Sequence, residues 1–171
     1  FDENTLRQMV ADLENVEEEK LDDAVCDIID IGNKPIRFLI ESLPEMSEEV
    51  GGRVVQKLED FFYFHPEKGG KLVDRLKQSV REAPDIYRAG LLSALSDILD
   101  ATDESGEIIG TMGEEAMSVL CSDADITRIG KAIEILVRAE EANSIPRIIN
   151  LMIKNIDNLD KFENYQFIET S

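Results

Sequence analysis

The chain is 171 residues long and 43 % hydrophobic, and its 37 Asp and Glu against 18 Lys and Arg leave a formal charge of −19. That is enough apolar residue to bury a sizeable core and too much for a disordered acidic tail, while charge of this sign repels phosphate backbones and argues against DNA or RNA as a partner. No apolar run approaches the roughly 18–20 residues of a membrane-spanning helix, and no signal-peptide core precedes a cleavage site.

Residues 2–15 read as a leading helix. Leu21, Ala24, Val25, Ile28 and Ile29 then recur at spacings of three and four, the period of a helix with one buried face. Gly32-Asn33-Lys34-Pro35 ends that helix and starts another, since Pro is tolerated in a first turn. Leu43-Pro44-Glu45-Met46-Ser47 is the next break. Ser47 has Val50 rather than an acid three residues on, so a capping box is incomplete, but Glu48 and Glu49 suit the positive end of the helix dipole. Val54, Val55, Leu58, Phe61 and Phe62 continue the helical period until His65-Pro66-Glu67-Lys68-Gly69-Gly70 interrupts it. Further breaks fall at Glu82–Asp85, Thr102–Gly106, Ser122–Asp125 and Asn143–Pro146. Between them lie Leu91, Leu92, Leu95, Ile98 and Leu99, and then Ile129, Ala132, Ile133, Leu136 and Val137, all at helical spacing. No segment alternates with period two for more than a few residues, so the expected fold is all-α, with about ten helices joined by short connections.

The helices repeat. Leu72, Val73, Leu76 and Val80 return 36 residues later as Ile108, Ile109, Met112 and Ala116, and 40 residues after that as Ile148, Ile149, Met152 and Ile156. Asp85-Ile86-Tyr87-Arg88-Ala89-Gly90 and Asp125-Ile126-Thr127-Arg128-Ile129-Gly130 share the element D-I-x-R-x-G at a spacing of 40. Two interleaved sets at compatible spacing indicate helix hairpins, each too small to cover its own apolar face, that gain a continuous core by stacking. Approximate units are 18–46, 47–83, 84–122 and 123–162. Phe1 in place of a start Met, and an apolar C-terminal stretch with Tyr165, Phe167 and Ile168, lead us to expect a piece of a longer array.

Candidate reaction centres are few. Cys26 and Cys121 are the only cysteines and His65 the only histidine, too little for a Cys/His zinc site or a disulfide framework. Two distant cysteines fit a reducing, cytoplasmic setting, and stacked helix layers should hold Cys26 and Cys121 too far apart to bond. A nucleophile–histidine pair would have to use His65, which instead reads as the end of a helix before Pro66. Residues 101–112 resemble a calcium loop only in part: Ala101 and Met112 stand where the terminal carboxylates belong, so a capping turn is expected. Lys68-Gly69-Gly70-Lys71 is too short for a phosphate loop. Phe61-Phe62-Tyr63-Phe64 is the one dense aromatic cluster, and consecutive aromatics cannot all face inward on a helix. Residues 1–33 carry eleven acids against two bases, either a solvated face or a docking surface for a basic partner.

The period and the D-I-x-R-x-G element resemble HEAT and HEAT-like repeats over residues 18–162. Tetratricopeptide repeats have a shorter unit with a Trp position, and this chain has no Trp. The resemblance implies a right-handed α-α superhelix, a HEAT-like solenoid of about four helix hairpins with partial flanking helices. It also implies a ladder in which Arg88 and Arg128 bond acids of adjacent units. Such folds serve mainly as non-catalytic platforms for binding other proteins, so the expected partner is a protein or peptide, on charge grounds a basic one. No catalytic residue, metal or cofactor is assigned. The alternative is a regulatory or accessory part of an enzyme, such as a HEAT-like tetrapyrrole lyase subunit.

Overall fold

The computed structural model describes residues 1–103, 105–121, 125–139 and 144–154, and all secondary structure among them is helical, with no strand. The helices are α1 (Glu3–Asp12), α2 (Glu18–Ile31), α3 (Asn33–Ser42), α4 (Glu48–Phe64), α5 (Val73–Glu82), α6 (Asp85–Thr102), α7 (Glu107–Gly110), α8 (Gly113–Leu120), α9 (Ile126–Arg138) and α10 (Ile145–Lys154). Short 3-10 segments at Leu13–Asn15, Leu43–Glu45 and Pro66–Leu72 form three of the connections. The helical period read from the sequence therefore gives the right fold class. The chain divides into two compact units, 1–102 and 103–171.

In the first unit, α1 packs on α3 and α3 on α5, while α2 packs on α4 and α4 on α6. Contacts of α2 with α3, and of α5 with α6, join these two rows. The apolar stripes explain the layering: Leu21, Val25, Ile28 and Ile29 of α2 and Val50, Val54, Val55, Leu58 and Phe62 of α4 are all buried. Helix α6 is buried on most of its surface, from Tyr87 to Leu99, and its Ala89, Gly90, Ser93, Ala94 and Ser96 are small enough for neighbours to approach closely.

Each junction closes locally. Gly32 turns the chain from α2 into α3 at φ 136°, a conformation closed to residues with a Cβ. Ser47 caps α4 by accepting from the Val50 N–H at 3.4 Å. The missing half of its capping box comes from elsewhere: Glu14, in the turn after α1, accepts the Ser47 N–H at 2.9 Å. At the other end of α4, His65 donates its N–H to the Phe61 carbonyl at 2.8 Å, and Pro66 follows.

In the second unit, Asp103 is committed to capping. Its Oδ2 accepts from the Ile108 and Ile109 N–H groups at 2.9 and 3.0 Å, while Ser105 Oγ donates to its Oδ1. The calcium-loop likeness of this stretch is a capping turn. Sequence breaks were expected at Gly106 and Ser122 with none between, yet the chain also breaks at Thr111–Met112. The Thr111 N–H and hydroxyl both donate to the Ile108 carbonyl, and the Met112 N–H donates to Ile109. These three-residue bonds tighten α7 into an end. Gly110 and Gly113 on either side lower the cost of the break, while Ile109, Met112 and Ala116 are still buried across it. Helix α9 packs on α7 and α8. Arg147 of α10 donates through Nε and Nη2 to the Leu120 carbonyl at the end of α8.

Candidate functional site

The two D-x-x-R elements act first as helix starts. Asp125 is the N-cap of α9, accepting the Arg128 N–H at 3.0 Å, with the Arg128 guanidinium 3.7 Å from the same carboxylate. Asp85 opens α6 and pairs with Arg88 at 2.6 Å. Arg88 also donates through Nε to the Val80 carbonyl at 2.9 Å and through Nη2 to the Ala83 carbonyl at 3.3 Å. The junction between α5 and α6 is thus clamped by an arginine on main-chain carbonyls at the end of α5. The reason is geometric: the last carbonyls of a helix lack intrahelical partners, and a guanidinium one turn into the next helix reaches them.

A group of ion pairs between α2 and α4 lies where the D-I-x-R-x-G element is absent. Arg53 of α4 bonds Asp22 of α2 at 2.9 Å and approaches Glu18 at 3.6 Å, while Lys57 lies 3.4 Å from the same Asp22. The Arg53 hydrogen bond holds the Asp22 carboxyl below its ordinary range and raises Arg53 in turn. Sequence reasoning missed this cluster because the partners are 31 residues apart. The available signal was that Asp22 and Arg53 both lie in the second turn of a helix, α2 and α4 respectively.

Beside this cluster, between the C-terminal halves of α2 and α4, lies an open notch of about 260 Å³. Cys26 and Ile29 line it from α2; Phe61 and Phe64 line it from α4, with His65 at the end. Asp30 and Asp60 stand on its two walls, one on each helix, and both are exposed. Lys57, the cation in the notch, is engaged by Asp22. Ile29, Asp30 and Phe61 also border a larger cleft of about 540 Å³, whose other side carries Lys68 and Lys71 from the 3-10 segment. Lys68 Nζ sits 5.6 Å from the Phe61 ring centre.

Of the aromatic run, Phe62 is fully buried, Phe61 is half-buried, and Tyr63 and Phe64 are exposed at 66 % and 72 %. The two exposed rings meet edge to face at 5.1 Å. The sequence therefore located the aromatic surface correctly but could not say that Phe61 and Phe64 would wall a cavity with α2.

The structure also brings His65 and Cys26, singled out separately in the sequence, to one notch. Burial pushes the Cys26 thiol up, with Lys57 opposing and Asp30 adding to the shift. A thiol held protonated is a poor nucleophile, and no hydrogen bond joins it to His65. His65 Nδ1 lies 4.0 Å from Glu67 instead. Both cysteines are free. Among the described residues no group of three or more His, Cys, Asp or Glu is placed to hold a metal ion, and no helix is long and apolar enough to cross a membrane.

Comparison of the chain with protein-family models, with curated proteins and with solved structures found no match.

Proposed function

We propose that this protein is a helical-repeat interaction module, related in design to HEAT-like solenoids, that offers an acidic surface to a basic protein or peptide and carries out no chemistry of its own. The observation that supports this most is the pair of rows in residues 1–102, with α1, α3 and α5 in one and α2, α4 and α6 in the other. Rows of this kind make a rigid platform whose exposed side chains are free to vary without disturbing the core. The exposed residues of α2 include Glu19, Asp23, Asp27 and Asp30, with Lys20, paired to Glu17, as the helix's one base. Such a surface attracts cationic partners over a distance set by the Debye length, about 10 Å at 0.1 M salt.

The test is fluorescence anisotropy of the full chain with a labelled basic peptide and with an acidic peptide of equal length. The basic peptide binds at low ionic strength and weakens steadily as salt is raised through about 0.1 M, while the acidic peptide does not bind. Failure of the basic peptide to bind at low salt overturns the proposal.

A further inference from the structure

The notch between α2 and α4 has a charge pattern that the fold itself does not use. Asp30 is the penultimate residue of α2, and Asp60 lies in the last turns of α4. Neither has an ion-pair or hydrogen-bond partner among the described residues. The C-terminal end of a helix already carries partial negative charge, so a carboxylate there is unfavourable. Neither helix has a basic residue in its last turn to offset it. Two helix ends and two unpaired carboxylates thus concentrate negative potential on one small cavity.

The cavity walls supply the other half of a recognition site. Phe61 and Phe64 offer aromatic surface, Ile29 and Cys26 offer apolar surface, and Phe64 is 72 % exposed. A side chain that fits must be cationic at its tip, flat enough to lie against a ring, and able to bond two carboxylates. Guanidinium meets all three requirements, whereas ammonium is a strongly hydrated point charge with no flat face.

We infer that the notch is the seat for an arginine side chain of the basic partner, stacked on Phe64 and Phe61 and bonded by Asp30 and Asp60. This rests on the interaction-module reading above and names the chemistry of its partner. Lys57 does not compete, because Asp22 holds it, and Lys68 and Lys71 line the larger cleft that Asp30 and Phe61 also border and do not line the notch.

The experiment compares a short labelled peptide of alternating arginine and glycine with its lysine counterpart, on the full chain and on three variants. The unaltered protein binds the arginine peptide about fivefold more tightly. In Asp30→Asn/Asp60→Asn, affinity for the arginine peptide falls about tenfold and the preference disappears. Phe64→Ala also removes the preference while leaving lysine binding as it was. Asp23→Asn/Asp27→Asn removes the same number of charges from the protein but outside the notch, so binding weakens for both peptides and the preference stays. Equal binding of the two peptides, or equal effects of the two double variants, overturns the arginine seat and leaves the basic-partner reading standing. Absence of binding by either peptide at low salt overturns both. Thermal melts of Asp30→Asn/Asp60→Asn should match or exceed those of the unaltered protein, which shows that any lost binding is not lost folding.

Discussion

Gly51 and Gly52 are adjacent in α4, yet replacing each with alanine should move stability in opposite directions. A Cβ at Gly52 meets nothing within 4 Å, and the residue is exposed. Gly52→Ala therefore yields only the conformational gain of losing a helix-interior glycine, about 0.5–1 kcal/mol. A Cβ at Gly51 would fall into the phenol of Tyr87, overlapping its hydroxyl oxygen and lying 2.5 Å from Cζ and 3.0 Å from Cε1. Ordinary carbon contacts are about 3.5–4.0 Å, so the ring or the helices would have to separate by about an ångström. Tyr87 has little room to do so: it is 3 % exposed, and its hydroxyl lies 3.5 Å from the Ser47 carbonyl. Overpacking of this kind costs about 1–3 kcal/mol, which exceeds the propensity gain. The expected net effect of Gly51→Ala is a loss of about 1–2 kcal/mol, read as a lower urea midpoint with unchanged slope by far-UV circular dichroism. In a Tyr87→Ala background the clash is gone, and Gly51→Ala should become neutral or mildly stabilising. If Gly51→Ala stabilises the unaltered protein as much as Gly52→Ala does, the packing of Tyr87 over α4 is refuted.

Removing the distant half of the α4 cap by Glu14→Ala should cost about 1 kcal/mol, and Ser47→Ala a similar amount, measured by urea unfolding. Because both act on the same helix start, the double variant should deviate from additivity. Asp103→Ala should accelerate amide exchange in α7 at Ile108 and Ile109, the two N–H groups its carboxylate accepts, with little change elsewhere. For Asp22, the folded carboxyl titrates below its unfolded value of 3.8 because Arg53 bonds the charged form. Its contribution to stability is therefore fully present above pH 4 and is lost as pH falls through the folded value. A carboxyl-detected NMR titration of Asp22 should show a midpoint below 3.8, and Arg53→Met should move it back up. Tyr87 is shifted the opposite way, raised above 10.0 first by burial and then by Glu48 and Glu14. Its contribution holds at lower pH and is lost as the phenol ionises, so Tyr87→Phe should flatten the fall in stability above pH 10.

Spacing alone determined that this chain is helical, because a face repeating every three to four residues has no other way to be buried together. It also located the turns at Gly32, Pro44, Pro66 and Pro84, where backbone chemistry acts within a few residues. Local rules also explain Asp85 and Asp125 at the helix starts. Interactions between distant residues were not legible. Glu14 completes the cap of Ser47 across 33 residues, Arg53 finds Asp22 across 31, and Tyr87 fills the space left by Gly51. The break at Thr111 was hidden for a related reason, since Ile109, Met112 and Ala116 keep a helical rhythm even though the chain between them stops being one helix. The notch depended on packing in the same way: Phe61, Phe64, Asp30 and Asp60 are ordinary residues in sequence and become one surface only when α2 and α4 lie side by side. Periodicity reports which face of a segment is apolar, whereas the partner that covers that face, and the gaps left around it, are decided by the shapes of both.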